Sequence, residues 1–303
     1  MIVDPAVAEE WIRSHVEPAG AIEPIHVRPW ATVLYVPLER GAAWFKACGP
    51  EQAFEPRLTV TLHSRWPDRV AEVVAVDHER KWLLLGDAGT PLAVCGDRVE
   101  VWPRVLPLYA ELQRGEAAHA QEHLAAGVPD LRAETLPERY AELAARSDLP
   151  LEQEEVERLR SFAPRFGELC DELAADGLPA TIQHDDLHYA NVYAQDDALR
   201  VLDWGDSSVG HPFASLVVTL RFLEEIDELP LDDRAYARAR DAYLEPWGAG
   251  AADALPLALR IGAFAHVFAW MRQRDFVTGE DRERFDQWYP VVLRRALSLT
   301  SEP

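Results

Sequence analysis

The run His184-Asp185-Asp186-Leu187-His188-Tyr189-Ala190-Asn191, followed by Leu202-Asp203-Trp204, constrains this chain more than any other segment. It orders three proton- or metal-handling side chains around a readable hairpin. Val192-Tyr193-Ala194 is apolar, Gln195-Asp196-Asp197 supplies turn residues, and Leu199-Arg200-Val201-Leu202 alternates; the pattern predicts two antiparallel strands. Asn191 and Asp203 flank the turn almost symmetrically. Opposed residues of such strands sit roughly 4.5–5.5 Å apart, so an amide oxygen and a carboxylate are expected side by side at the open end. Two oxygen donors suit Mg²⁺, a hard cation that keeps several waters and shares its site with substrate phosphates. Asp186 stands on the loop entering the hairpin, where it can accept a proton from an attacking hydroxyl. His184-Asp185-Asp186 alone would read as an acidic surface turn. Its register with Asn191, the hairpin and Asp203 gives it chemical meaning.

At these residues the chain resembles the aminoglycoside phosphotransferase and choline kinase branch of the protein-kinase-like fold. The pattern His-x-Asp-x-x-x-x-Asn, then an Asp closing a short hairpin, is matched by His184, Asp186, Asn191 and Asp203. The resemblance implies that Asp186 is the catalytic base, that Asn191 and Asp203 hold Mg²⁺, and that His184 supports the loop. It continues through Gly205-Asp206 into Gly210-His211-Pro212-Phe213-Ala214-Ser215-Leu216. There, the family often has an acidic residue where Ser215 stands, and a Gly where Asp185 stands. Both departures bear on how the loop is anchored. His188 is open between a contact to substrate or metal and a hydrogen bond to the loop backbone.

A kinase-like reading requires a lysine on a strand, held by a helix carboxylate. Lys46 fits. Residues 31–36 and 42–47 flank the turn Glu39-Arg40-Gly41 as two strands, and residues 52–63 read as a helix carrying Glu55. Glu55 is the expected partner of Lys46, with Glu51 the less favoured alternative. One expected feature is missing: no glycine occurs from residue 21 through residue 40, where kinases often place a phosphate-covering loop. The turn there is expected at Arg28-Pro29-Trp30-Ala31-Thr32, where backbone amides or the Thr32 hydroxyl remain to reach phosphate, while Pro29 removes one donor and Trp30 adds bulk. Trp82-Leu83-Leu84-Leu85-Gly86-Asp87-Ala88-Gly89 reads as a buried strand leading into a linker. By the resemblance, backbone groups at Gly86, Asp87 and Ala88 hold the adenine edge.

Length and charge bound the rest. The chain has 303 residues, 48% of them apolar, enough for one large or two medium domains with substantial cores. A mixed lobe at residues 1–88 and a helical lobe at residues 89–303 are expected, the boundary falling in the segment 87–91. The formal charge of −22 opposes binding to nucleic acid backbones and anionic lipid surfaces and favours a cationic acceptor, although surface carboxylates also serve solubility. Cys48, Cys95 and Cys170 are odd in number and widely spaced, which indicates neither a disulfide framework nor a zinc cluster and fits a reducing cytoplasm. Residues 1–18 carry Asp4, Glu9 and Glu10 without the basic region and apolar core of a signal peptide. No apolar run is expected to be long enough to span a bilayer.

Helical periodicity predicts segments at residues 106–126, 136–146, 152–175 with a break at Pro164, 212–226, 232–243, 255–274 and 281–298. Substrate signals in this part are sparse. Glu224, Glu225, Asp227, Glu228, Asp232 and Asp233 cluster at one helix junction, either a solvated face or an attractor for an amine. His266 and Trp270 lie one helical turn apart and default to core packing, and ten scattered tryptophans define no aromatic cage.

The sequence thus predicts an α+β, bilobal protein-kinase-like fold and a small-molecule kinase. Such an enzyme uses Mg²⁺ and ATP or GTP to phosphorylate a hydroxyl of an aminoglycoside-, amino-alcohol- or sugar-like acceptor. Two alternatives stand beside it. One is a metal-dependent hydrolase, since His184, Asp186 and His188 would face one way on a strand; the other is a nucleotide-binding protein with little catalysis.

Overall fold

The computed structural model describes residue 3, residues 5–195 and residues 198–300. In chain order its elements are α1 (Pro5–Arg13), β1 (Glu23–Val27), β2 (Ala31–Pro37), β3 (Ala42–Cys48), α2 (Glu55–Arg65), β4 (Val73–Asp77), β5 (Trp82–Gly86) and β6 (Thr90–Pro91). There follow α3 (Arg98–Glu116), α4 (Ala120–Ala125), β7 (Asp130–Leu131), α5 (Leu136–Ala145), α6 (Gln153–Ala174) and β8 (Thr181–Gln183). The remainder is β9 (Val192–Gln195), β10 (Ala198–Val201), β11 (Ser208–Gly210), α7 (Leu216–Glu225), α8 (Arg234–Leu244), α9 (Leu255–Phe276) and α10 (Gly279–Ser298). Two compact units result. The first gathers the described residues of Met1–Arg98, Ala125–Val128 and Tyr189–Asp206; the second holds those of Val99–Leu124, Pro129–His188 and Ser207–Pro303.

In the first unit an antiparallel sheet has the order β1-β2-β3-β5-β4. Alternation along β3 sends Ala43, Phe45 and Ala47 into a core with Leu34, Val36, Trp82 and Leu84, which turns Trp44, Lys46 and Cys48 to the other face. The helix α1, not predicted from the sequence, closes that core with Ala8 and Ile12, and Trp11 sets its ring edge-on to Phe45 and Trp82. Gly41 takes φ +72° in the turn between β2 and β3, a conformation that costs glycine nothing. The hairpin β9–β10 forms as predicted from residues 192–201; Asp196 and Asp197 of its expected turn lie outside the described residues. It is drawn into this unit by pairing of β6 with β9 and by a bridge from Val70 to Val201.

The second unit is helical apart from a small sheet of order β7-β11-β8. The break expected at Pro164 does not occur: α6 runs unbroken, burying Leu159, Phe162, Phe166, Leu169, Cys170 and Leu173. A proline inside a helix costs about 3 kcal/mol, and each large apolar side chain buried returns about 1.5–3 kcal/mol. Burial outweighs the broken hydrogen bond. For the same reason α3 begins at Arg98 rather than residue 106 and runs through Pro103 and Pro107, with Trp102, Val105, Leu106 and Tyr109 buried. The expectation about apolar runs also needs correction. The stretch Ala251–Phe276 is long and apolar enough to cross a membrane by length and composition. Most of it is buried here, α9 packing on α6, α7 and α10, with Phe264 against Tyr140 and Phe166.

Candidate active site

Lys46 occupies the middle of β3, opposite Val33 on β2 and Leu83 on β5. Its face of the sheet carries it toward the first turn of α2, where Glu55 is the opening residue; a carboxylate there also suits the positive end of the helix dipole. The ammonium lies 2.8 Å from Glu55 Oε1 and 2.6 Å from Glu55 Oε2, and 2.6 Å from Asp203 Oδ1. The expected pairing with Glu55 is thus the geometry observed, whereas Glu51 sits in the short 3-10 turn Pro50–Gln52. Cys48, two residues along the same face, donates its thiol to Glu55 Oε2 at 3.2 Å. One ammonium against two carboxylates leaves the cluster one charge negative. Burial alone would lower the Lys46 pKa, but Asp203 and Glu55 outweigh it and hold the ammonium well above its ordinary range. Burial and then the Glu55 charge push the Cys48 thiol up likewise, against the pull of Lys46.

Asp203 reaches Lys46 from the far end of the hairpin. The register pairs Val192 with Val201, and Leu202 N–H donates to Asn191 O at 2.9 Å. Asn191 therefore opposes Leu202, and Asp203 falls one residue beyond the symmetric position that the sequence predicts. Its backbone is left-handed, φ +64°, which turns the chain at the hairpin mouth and is tolerated better by Asp than by most residues. Asn191 is buried and the Asp203 side chain is half exposed. Gly205 follows, lying so close to α2 that a Cβ there would sit 2.8 Å from Glu55 Oε2 and 2.7 Å from Gln52 Cδ.

The remaining nucleotide-site expectations fall in the same unit. Thr32 lies inside β2, opposite Ala47 on β3 and Val27 on β1, and is almost fully buried, its hydroxyl without a hydrogen-bond partner among the described residues. The turn before it is tighter than predicted, comprising Arg28-Pro29-Trp30, with Arg28 N–H donating to Ala31 O at 2.9 Å. Gly86 ends β5, and its N–H donates to Glu72 O at 2.9 Å, so that amide is already committed. Asp87 is exposed and Ala88 is buried. Asp87 Oδ1 accepts from Gly89 N–H at 2.9 Å, while Gly89 passes against the hairpin where any Cβ would clash with Ala194 O.

In the second unit β8 ends at Gln183, and His184 to His188 form a loop rather than a strand. Asp185 is left-handed, φ +57°. That single dihedral breaks the alternation on which the hydrolase alternative depended: His184 is fully buried, while Asp186 and His188 retain some exposure. Such a dihedral favours glycine and is tolerated by Asp, and Asp185 Oδ2 accepts from Ser208. His184 N–H donates to Tyr109 Oη at 2.9 Å. Tyr109 Oη lies 2.7 Å from Ser215 Oγ, which donates to Gln183 Oε1 at 2.6 Å. Ser215 thus anchors the loop as a neutral group. His188 Nε2 lies 3.3 Å from Asp186 Oδ2, and its ring stacks on Phe222 at 4.7 Å and 6°. Tyr109, Ser208 and Thr219, which donates to Leu187 O at 2.7 Å, were not identified from sequence. They lie 23 to 75 residues from the loop positions they hold, a separation without a local signal.

A family model described as the phosphotransferase enzyme family, APH, matches residues 52–255, two thirds of the chain. No curated protein matches significantly. Similar solved structures include choline kinase LicA from Streptococcus pneumoniae, 12% identical with TM-score 0.61, covering 96% of this chain and 99% of that one. The GDP complex of aminoglycoside 2'-phosphotransferase-IIIa is 14% identical with TM-score 0.62, covering 96% of both chains. Amicoumacin kinase hAmiN, solved with AMP-PNP, Ca²⁺ and its antibiotic, is 12% identical with TM-score 0.58, covering 95% of this chain and 94% of that one. At such identities the likeness establishes the protein-kinase-like fold, and the family match carries the rest: the chain belongs to the phosphotransferase enzyme family, whose members transfer a phosphoryl group to a hydroxyl acceptor.

Proposed function

We propose that the chain transfers the γ-phosphoryl group of ATP or GTP to a hydroxyl of a small molecule. The observation that carries this reading is Lys46 bonded at once to Glu55 and Asp203, since a strand lysine fixed by a helix carboxylate is placed to receive nucleotide phosphates. Similar folds bound to GDP and AMP-PNP support a nucleotide donor. Asp186 takes the acceptor's hydroxyl proton, the hydroxyl oxygen attacks the γ-phosphorus, and the bond to the β–γ bridging oxygen breaks to release the nucleoside diphosphate. His188 orients the Asp186 carboxylate, and His184, held by Tyr109, fixes the loop that presents it.

The hairpin mouth fits Mg²⁺ by its donors. An amide oxygen and a carboxylate are hard ligands, and the neighbouring Lys46–Glu55–Asp203 cluster is one charge negative. Among the described residues no three His, Cys, Asp or Glu side chains assemble into a cage, but Mg²⁺ needs only one or two protein ligands. Asn191 and Asp203 would hold it, and it would neutralise charge on the transferring phosphates. Asp87 and Ala88 offer the linker backbone to the base. Residues 1–88 then act as nucleotide lobe and residues 89–303 as acceptor lobe, in a reducing cytoplasm. A screen of hydroxyl compounds with γ-labelled ATP and GTP, with and without Mg²⁺, tests the proposal. Mg²⁺-dependent transfer that is lost in Asp203→Ala is expected; transfer undiminished in that variant overturns the metal assignment.

A further inference from the structure

The second unit places beside Asp186 a set of groups that the reaction as written does not use. The helix α7 is clamped to the catalytic loop by Thr219, whose hydroxyl bonds Leu187 O, and by the stack of Phe222 on His188. It meets α9 at a close approach that favours glycine: a Cβ on Gly262 would lie 3.0 Å from Val217 Cγ2 and 3.0 Å from Ala214 Cα. One helical turn on from that contact, on each helix, stand Arg221 and His266. The Arg221 charge acts on the His266 ring, and both groups sense the Asp186 carboxylate.

The charges here do not cancel as they do elsewhere on the surface. Arg295, the like charge nearest Arg221, is bound by Glu224 and Glu225, which absorbs two of the acidic residues that made a cationic acceptor attractive. Arg221 makes no ion pair with a carboxylate among the described residues. Its guanidinium lies 5.5 Å from the centre of the Phe222 ring and is partly buried, so burial, then Arg295, pull its pKa down against Asp186. A partly desolvated guanidinium without a counter-ion is a ready partner for a planar anion. His266 is almost fully buried. Neither ring nitrogen makes a well-formed hydrogen bond, the Asp185 backbone favouring the charged form only weakly. Burial and then Arg221 push its pKa down to about 4, so at neutral pH it offers an N–H donor without a second positive charge. An ammonium group brought to this place meets the guanidinium as a like charge, whereas an anion gains from both groups.

We infer that the acceptor carries an anionic group, a carboxylate or a phosphate, close to the hydroxyl it presents, and that Arg221 and His266 bind that group beside Asp186. The inference rests on Asp186 being the base, and it reverses the acceptor charge expected from the overall charge of the chain. The bonds made and broken remain those of phosphoryl transfer.

Four probes sharing one skeleton test it: glycerol, D-glycerate, sn-glycerol 3-phosphate and 3-amino-1,2-propanediol. Each is assayed for transfer from the nucleotide and for equilibrium binding by calorimetry, with wild type, Arg221→Gln, Arg221→Lys and Arg221→Glu. Wild type is expected to favour one anionic probe over glycerol and over the amine by about tenfold or more in kcat/KM, the glycerate and phosphate arms identifying which anion. In Arg221→Gln the preference falls roughly tenfold to a hundredfold through KM, the span of a charge-assisted hydrogen bond. Arg221→Lys, which keeps the charge, retains most of it, and Arg221→Glu shifts preference to the amine. Preference of wild type for the amine, equal use of all four, absence of binding by either anion, or an Arg221→Gln enzyme with unchanged selectivity each overturns the inference. Asp186→Asn separates it from the kinase reading. That variant is expected to bind the anionic probe normally and transfer nothing. Arg221-dependent binding together with unimpaired transfer in Asp186→Asn would leave the anion site standing and remove Asp186 as the base.

Discussion

Removing Lys46 should cost far more than removing Asp203, although the two share an ion pair. At 2.6 Å, with an effective dielectric constant near 20, the gross attraction to Glu55 is about 6 kcal/mol. Much of it is offset by desolvation of both charges. What matters is the group left behind. Glu55 keeps only 3% of its side chain exposed, so Lys46→Ala strands a buried carboxylate, a change that typically destabilises by about 3–5 kcal/mol. Asp203 is 50% exposed; Asp203→Ala leaves Lys46 with Glu55 and should cost about 1 kcal/mol or less. Adding Glu55→Gln to Lys46→Ala removes the orphan charge and should restore stability, with a coupling of at least about 1.5 kcal/mol in the double-mutant cycle. The penalty is also pH-dependent. Burial already raises the Glu55 pKa while Lys46 lowers it; without Lys46 the folded value rises further above the unfolded one. Protonation then relieves the mutant below the unfolded pKa, and that relief is lost as pH rises through the folded value, so Lys46→Ala should suffer less at pH 5 than at pH 8. Urea unfolding followed by circular dichroism measures all four corners of the cycle. Additivity of the two substitutions within about 0.5 kcal/mol would refute the reasoning, because it would mean that Lys46 and Glu55 do not compensate each other.

Asp186→Asn preserves volume but cannot take a proton, so turnover should fall by roughly a hundredfold or more, while nucleotide affinity is unchanged; loss of nucleotide and Mg²⁺ binding would instead make Asp186 a metal or structural residue. Gly205→Ala should push its new methyl into Glu55 and Gln52 and weaken nucleotide binding, which fluorescence titration with a nucleotide analogue measures; wild-type affinity would show that α2 shifts without consequence. His266 has a folded pKa of about 4 against an unfolded value near 6.5, so the unfolded chain binds the proton first as pH falls. The stability it supports is complete above pH 6.5 and is lost down to about pH 4, about 3 kcal/mol in all; a His266→Gln protein should lack that slope, and equal slopes would reassign it.

Much of the chemistry was legible because it is written at short range. His184, Asp186, Asn191 and Asp203 sit in one stretch whose hairpin declares itself by alternation and turn residues, and the order strand–lysine–helix–glutamate pairs Lys46 with Glu55. The same logic missed the offset at Asp203, since hairpin register is set by turn geometry that composition leaves open. It missed the left-handed Asp185 too, and with it the error of placing His184, Asp186 and His188 on one strand. Proline misled in the opposite direction: Pro164 signals a break locally, but the buried aromatic and aliphatic neighbours of α6 outweigh one lost hydrogen bond.

The sequence by itself determined which groups are candidates to act: Asp186 as base, Asn191 and Asp203 as oxygen ligands, and Lys46 with its carboxylate Glu55, each singled out by residue type and spacing. Tertiary structure alone decided what surrounds them. Tyr109, Ser208 and Thr219 reach the loop 184–188 across 23 to 75 residues, and Arg221 comes within electrostatic reach of His266 from a different helix. Contacts closed by packing at such separations leave no periodic trace in the chain. The charge next to Asp186 is therefore a property of the fold, opposite in sign to the −22 of the sequence as a whole.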